Sequence, residues 1–505
     1  MTTSVETSLG RLRGVEDDGL HVFRGVPFAR PPVGALRFRA PQPAEPWTGV
    51  RDATSFAPTA PQGERAIGFL PAGKPEPRSE DCLYLNVYTP GADDVRRPVL
   101  FWIHGGGFTG GSGSSPIYDG AHLARRGDVV VVTINYRLGA LGFLDLGEDG
   151  DANTGLLDQI AALRWVRENI ARFGGDPDQV TIFGESAGGM SVGTLMGTPA
   201  AQGLFRRAIP QSGAAHNVQS RESAARTRAT LLAELGLDSP ASLRDVPVAE
   251  LIAAQMQTLM KARSSENIGM AFTPVLDGDV LPQSPLEAIR AGSARGVDVL
   301  VGTTRDEWNL FRLMDPGGES LDEAGALKRL SARVSEPQRN AQRVYETYRK
   351  AREGKAREGQ TSSEPIEVFT AIETDRVFRI PAIRLAEAQR AHTDRVYKYL
   401  FSWESKLLDG RLGSCHALEL PFVFGTLGLE GLRGWAGKGP DAERLSRRMM
   451  DAWLAFARTG DPGSADLPDW PAYDEEHRAT MVFDREVELH HAPFDEERRA
   501  WNGLL

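Results

Sequence analysis

Cysteine is close to absent. Cys82 and Cys415 are the only two in 505 residues and lie far apart in sequence, which argues against a disulfide framework or a cysteine-based metal centre and reads as two reduced thiols. A basic excess is missing too. Lys and Arg number 58 against 68 Asp and Glu, a net charge of -10. That is the wrong sign for a phosphate-binding surface, so neither nucleic acid nor an anionic membrane is expected as a partner. The local pairs Arg206-Arg207 and Arg447-Arg448 read as solvated helix faces. No uncharged apolar run reaches bilayer length, and Met1 to Thr7 holds no basic region followed by an apolar one, so a cytoplasmic location is the expectation.

What is present is ordinary for a globular chain: 41% hydrophobic and 25% charged residues, enough to bury a large core. The length would suit two or three average domains, yet there is no internal repeat and no clear composition break. Residues 1–505 therefore read as one elaborated domain.

Short strands open the chain, Gly10 to Val15 and Leu20 to Pro27, paired around turn residues as in an antiparallel sheet. Residues 57–79, rich in Pro, Gly and charge, form the first loop. Leu83 to Tyr88 alternates with a strand period, whereas Val99 to Ile103 and Val129 to Tyr136 are continuous apolar runs of the kind that parallel strands buried on both faces require. Leu157, Ile160, Leu163, Val166 and Ile170 recur at helical spacing before Gly174-Gly175, a C-terminal stop. Strand and helix then alternate through Val297 to Gly302 and Val396 to Trp403, the pattern of an α/β fold with a mostly parallel sheet. Residues 353–364 read as exposed or mobile, about 441–458 as a helix, and Met481 to Leu489 as a terminal hairpin.

Gly184-Glu185-Ser186-Ala187-Gly188 follows the apolar run Val180 to Phe183 and opens into small residues that can start a helix. It matches G-x-S-x-G, in which a serine sits on a strained strand-to-helix turn with its hydroxyl exposed and a glycine two places to either side where a Cβ would collide. Ser186 is the candidate nucleophile. His104-Gly105-Gly106-Gly107-Phe108 follows the Val99 to Ile103 strand directly, and three consecutive glycines let main-chain N–H groups converge on one point, as an oxyanion hole requires.

A serine hydroxyl needs a histidine to take its proton and a carboxylate to orient that histidine, here in the order serine, acid, histidine along the chain. Asp306 and Glu307, just beyond the Val297 to Val301 strand, both qualify as the acid. Of the nine histidines, His21, His104, His122 and His216 precede that acid. His416, on the loop after the Val396 to Trp403 strand, has the best position.

These residues resemble one family, the type B carboxylesterases, which includes the cholinesterases and bacterial p-nitrobenzyl esterases. The resemblance runs through Phe23 to Pro27, Ser79 to Leu83, His104 to Phe108, Asn135 to Arg137, Gly155 to Gln159, Gly184 to Gly189, Phe205 to Gly213, Asp306-Glu307 and Cys415 to Gly425. It implies an α/β-hydrolase fold and hydrolysis of small carboxylic esters, with no metal or cofactor. By the same resemblance Ser186 is the nucleophile, Glu307 rather than Asp306 the acid and His416 the base. Gly106, Gly107 and Ala187 would supply the oxyanion N–H groups, with Glu185 and Ser212 close to the triad and Phe108 and Phe311 as pocket walls. Arg24 with Glu80, and Arg137 with Asp158, would be buried ion pairs. Secreted members begin a disulfide where Cys82 stands, but no partner cysteine lies near it, so Cys82 reads as a small buried hydrophobe. A lipase, an amidase or peptidase with the same triad, and a non-catalytic binding protein of the same fold are the alternative readings.

Overall fold

The apolar runs become the middle of a single sheet. The computed structural model describes residues 1–64, 76–262, 270–315, 320–353 and 363–504; most of the segment 353–364, and residues 65–75 of the first loop, lie outside them. Among the described residues the strands are, in chain order, β1 (Thr2–Glu6), β2 (Arg11–Asp17), β3 (Leu20–Pro27), β4 (Val50–Asp52), β5 (Tyr84–Thr89), β6 (Arg97–Ile103), β7 (Val130–Ile134), β8 (Gly175–Glu185), β9 (Arg207–Gln211), the short β10 (Gln219–Ser220) and β11 (Val275–Leu276), then β12 (Asp298–Thr304), β13 (Val396–Phe401), β14 (Ala479–Phe483) and β15 (Val487–His491). All but β10 and β11 join one sheet in the order β1-β2-β3-β5-β7-β6-β8-β9-β12-β13-β14-β15, with β4 beside β2.

The strands from β7 to β14 run parallel, while the pairs from β1 to β3, then β5 and β7, are antiparallel, as is the closing hairpin β14-β15. The first strand, β1, escaped the sequence reading. It is short and polar, and its only buried residue is Val5, so its pairing with β2 rather than its own propensity makes it a strand.

Side-chain alternation divides the core. On β6, Val99, Phe101 and Ile103 face one apolar layer and Leu100 and Trp102 the other; on β12, Val299 and Val301 oppose Leu300 in the same way. Helices cover both faces, which is why these strands read as unbroken apolar runs rather than alternating ones. A third apolar cluster gathers helices Pro337–Arg352 and Pro365–Thr374 with Trp501.

Because β6, β8, β9, β12 and β13 are neighbours in parallel, their C-terminal ends meet at one edge. Five chain segments therefore converge: Gly105 to Gly107 after β6, Ser186 after β8, Ser212 after β9, Glu307 after β12 and His416 on the loop after β13. Crevices outside the carboxyl ends of parallel strands are where α/β folds place their ligands.

Candidate active site

Strand β8 ends at Glu185 and the helix Ala187–Gly197 begins two residues on, leaving Ser186 alone between them at φ 57° and ψ −126°. A side chain held there costs about 1–3 kcal/mol, so the surroundings must fix it. They do so through both main-chain groups: the Ser186 N–H donates to the Gln211 carbonyl at 3.0 Å, and the Ser186 carbonyl accepts from the Met190 N–H at 2.8 Å. The turn also passes close under β6. A Cβ on Gly188 would stand 2.0 Å from the Ile103 carbonyl oxygen, and one on Gly184 would stand 2.6 Å from that same atom.

The glycine loop after β6 lies directly against this turn, since a Cβ on Gly105 would come within 3.0 Å of the Ser186 Cβ. Gly106, at φ 117°, curls the loop so that its carbonyl accepts from the N–H groups of Thr109 and Gly110, and a Cβ at Gly106 would meet the Gly110 carbonyl at 2.1 Å. The N–H groups of Gly106, Gly107 and Ala187 make no hydrogen bond to any described residue. Ala187 opens a helix, so its N–H also carries the positive end of that helix's dipole.

His416 is buried, and its Nδ1 lies 2.6 Å from Oε2 of Glu307. The other oxygen of that carboxylate accepts the Thr304 N–H at 2.8 Å, which orients Glu307 from the end of β12. Nε2 lies 3.0 Å from Oε1 of Glu185, in a contact not aligned as a hydrogen bond. Phe311 and Phe378 flank the imidazole with ring centroids at 5.0 and 4.9 Å, and stack on each other at 5.8 Å.

The surroundings of the imidazole are acidic and dry. Glu185, Glu307 and Glu419 are all buried here. Burial first, then the nearby Glu307, holds the Glu185 carboxyl well above the usual carboxylate range. Burial, then Glu185 and Glu307, does the same to Glu419. Glu419 Oε1 takes a long hydrogen bond from Gln211 Nε2 at 3.4 Å, and Trp453 Nε1 donates to Gln211 Oε1 at 3.1 Å. Ser212, buried at φ 45°, keeps its hydroxyl without a hydrogen bond. The sequence reading passed over Glu419 and Phe378. A lone carboxylate inside the apolar run Leu418 to Val423 was a signal for the first; no local signal marks the second.

The remaining expectations divide. The Asp306 carboxylate binds the Ser414 N–H and Arg305, while it is the Glu307 carboxylate that meets His416. Phe311 faces His416, whereas Phe108 is fully buried edge-on to Phe143. Arg137 and Asp158 form the buried pair expected, at 2.7 and 2.8 Å.

Arg24 does not pair with Glu80, which is a correction. Arg37 does, through two bonds of 2.6 Å, while its remaining nitrogen reaches the Arg244 and Val246 carbonyls; the Arg24 guanidinium lies 5.2 Å over the Phe56 ring instead. Arg207 is a second correction. It is buried on β9 rather than solvated on a helix, and it hydrogen-bonds Gln179 and the Ala457 carbonyl near the end of helix Pro440–Thr459, where a cation suits the helix dipole. Both cysteines are buried and free. Among the described residues no group of His, Cys, Asp and Glu is arranged to hold a metal ion, and no helix is long and apolar enough to cross a membrane.

Comparison with known proteins gives one answer throughout. The model of the carboxylesterase family matches residues 1–501. Para-nitrobenzyl esterase of Bacillus subtilis is 42% identical over 98% of this chain and 97% of its own length, and phenmedipham hydrolase of Pseudarthrobacter oxydans is 40% identical over 94% of each. Among solved structures, the Geobacillus stearothermophilus carboxylesterase at pH 6.2 superposes with a TM-score of 0.88 at 44% identity, covering 99% of this chain and 100% of that one. With the matching sheet and elbow, these place the chain in the carboxylesterase family: it has the α/β-hydrolase fold and is a carboxylic ester hydrolase.

Proposed function

We propose that the chain hydrolyses small carboxylic esters to acid and alcohol through a Ser186–His416–Glu307 triad and an acyl-enzyme. The observation that carries this reading is the 2.6 Å contact between His416 Nδ1 and Glu307 Oε2, at the same sheet edge as a serine held on a strained turn. A carboxylate on Nδ1 fixes the tautomer whose Nε2 can take a proton from the Ser186 hydroxyl, and it stabilises the imidazolium that results.

Ser186 Oγ attacks the ester carbonyl as His416 Nε2 takes its proton. The N–H groups of Gly106, Gly107 and Ala187, otherwise without partners among the described residues, receive the oxyanion. One such donor is worth about 2.7–4 kcal/mol in comparable sites. The imidazolium then protonates the departing alkoxide, and the alcohol leaves. Water, deprotonated by the same nitrogen, attacks the acyl carbonyl; the bond to Ser186 Oγ breaks, that oxygen takes the proton back from the imidazolium, and the acid is released. Burial, then the neighbouring Glu307, raises the Glu185 carboxyl and so disfavours a second negative charge beside Glu307. Phe311 packs against the imidazole and is read as a pocket wall, with Glu185 and Ser212 close to the triad.

The chain is read further as one elaborated domain with a cytoplasmic location. The test is Ser186→Ala, which is expected to abolish hydrolysis of p-nitrophenyl acetate while leaving circular dichroism and Tm intact; retained hydrolysis would rule this nucleophile out.

A further inference from the structure

The helical rod from Pro365 to Arg390 does not run straight through. Between the helices Pro365–Thr374 and Ile380–Arg390 the backbone opens into a π-turn, Asp375–Arg379, where the Ile380 N–H donates to the Asp375 carbonyl. The sequence supplies the cause. Pro381 has no N–H to offer the Val377 carbonyl four residues back, and its ring crowds that carbonyl, so the ladder must widen just before it. Such turns gather at functional sites.

This turn meets the candidate triad at two points. Thr374, the residue before it, accepts the Trp308 N–H at Oγ1 over 3.0 Å, and so holds the peptide that follows Glu307. Phe378, inside the turn, sets its ring 4.9 Å from the imidazole of His416 and stacks on Phe311 at 16° between ring planes. Both phenyl rings pack against the imidazole and so limit how far it can tilt about its Nδ1 hydrogen bond.

Beneath the turn lies a polar anchor taken out of water. The Tyr348 hydroxyl donates to Asp375, Arg379 forms an ion pair with the same carboxylate, and all three side chains are buried. Trp501 Nε1 donates to the Tyr348 oxygen at 2.7 Å, and the Arg379 guanidinium lies 3.9 Å over the Phe494 ring. Apolar side chains could fill such a space with equal or greater stability, since a buried ion pair must first recover the desolvation of both charges. What the ion pair adds is direction. Its carboxylate can be held in one place only, and that place sets the first residue of the turn.

We propose that Asp375 is a positioning residue for ester hydrolysis: held by Tyr348 and Arg379, it fixes the π-turn so that Phe378 stays on the His416 ring and Thr374 on the Glu307–Trp308 peptide. The assignment rests on the triad reading given under Proposed function. Reacting groups tolerate displacements well under 1 Å, so a loosened turn lowers kcat by misaiming Nε2 while leaving the crevice that binds ester in place.

The test compares purified Asp375→Ala, Asp375→Asn, Tyr348→Phe, Ser186→Ala and Leu445→Ala on p-nitrophenyl acetate, with Tm measured for each. Leu445 is buried in helix Pro440–Thr459, in the apolar layer on the other face of the sheet, and serves as a stability control. Asp375→Ala is expected to lower kcat about tenfold or more, with KM changed by less than about threefold. Asp375→Asn, whose amide oxygen still accepts from Tyr348 but which loses the ion pair with Arg379, is expected to recover only part of that loss, and Tyr348→Phe to lower kcat less than Asp375→Ala does. Leu445→Ala is expected to lower Tm and leave kcat alone at temperatures well below unfolding. Wild-type kcat in folded Asp375→Ala, or a loss no larger than that of a Leu445→Ala enzyme with the same drop in Tm, would overturn the proposal. Should Asp375→Ala not fold, unchanged kcat in both Asp375→Asn and Tyr348→Phe would overturn it equally. Hydrolysis retained by Ser186→Ala would instead remove the triad reading itself, and the proposal with it.

Discussion

Asp306 and Ser414 bind each other in both directions. The Asp306 carboxylate accepts the Ser414 N–H at 2.9 Å, and the Asp306 N–H donates to the Ser414 carbonyl at 2.8 Å. The two residues stand one place before Glu307 and two before His416, so this reciprocal pair ties the Glu307 loop to the His416 loop. Asp306→Ala would leave a buried N–H at Ser414 without its acceptor, at about 1–3 kcal/mol. We expect kcat for p-nitrophenyl acetate to fall about tenfold or more, and Asp306→Asn, which keeps an acceptor, to lose less. Steady-state kinetics on both variants decide it, and an unchanged kcat in folded Asp306→Ala would show that the two loops hold their places without the pair.

Gly106 has no room for a side chain. Its φ of 117° and the 2.1 Å approach of the Gly110 carbonyl mean that Gly106→Ala must unwind the loop and move an N–H assigned to the oxyanion. Loss of one oxyanion donor costs about 10²–10³ in kcat, and a fall of that order is expected together with a lowered Tm from the strained loop. Measuring kcat alongside Tm tests this. A variant with near-normal turnover would take Gly106 out of the oxyanion hole.

Glu185 links the acidic surroundings of His416 to stability. Its unfolded carboxyl ionises near 4.5, while burial and then Glu307 hold the folded one neutral to a higher pH. Above pH 4.5 the unfolded chain therefore gives up this proton first, so rising pH favours unfolding through this group. Glu185→Gln keeps the shape and removes the effect. Its Tm relative to wild type should rise from pH 4.5 towards pH 8, and its kcat/KM at pH 7 should stay within about tenfold of wild type because glutamine keeps the size and polarity of the side chain. A Tm difference that is flat across this range would contradict the assignment.

Lys398 carries the opposite sign. It lies buried on β13, and burial, followed by Arg379, pushes its ammonium down to about 7 from an ordinary 10.5, with Asp375 opposing. Between those values the unfolded chain holds a proton that the folded chain has lost, so stability through this group rises with pH. Below pH 7 both states are charged and the full cost of burying the ammonium stands. Lys398→Met should stabilise the fold by about 1–4 kcal/mol at pH 6 and by progressively less towards pH 10. Denaturant titration at the two pH values reads this directly, and a gain that grows with pH would refute it.

How far the site was legible depended on whether its signal was local. Ser186 and its flanking glycines could be read because a strand end, a turn and a helix start are all written within a few residues. Glu307 and His416 could be placed because each follows an apolar run that had to be a buried strand. Pairings across the fold were harder. Neither arginine lies near Glu80 in sequence, and only packing decides that Arg37 rather than Arg24 reaches it, since Arg37 also finds the Arg244 and Val246 carbonyls from a segment more than two hundred residues away. Phe378 reads from sequence as one more apolar position of a helix. Its place against His416 depends on a turn that widens because of Pro381, and neither neighbour of the ring is near it along the chain.

The contact between Glu307 and His416 joins residues 109 apart, and each rides the end of a different parallel strand. Contacts of that span form late, after the entropy of closing the intervening loops has been met. Turnover should therefore return on refolding only after helical ellipticity and tryptophan burial have recovered, which makes the enzyme a gauge of its own completed assembly.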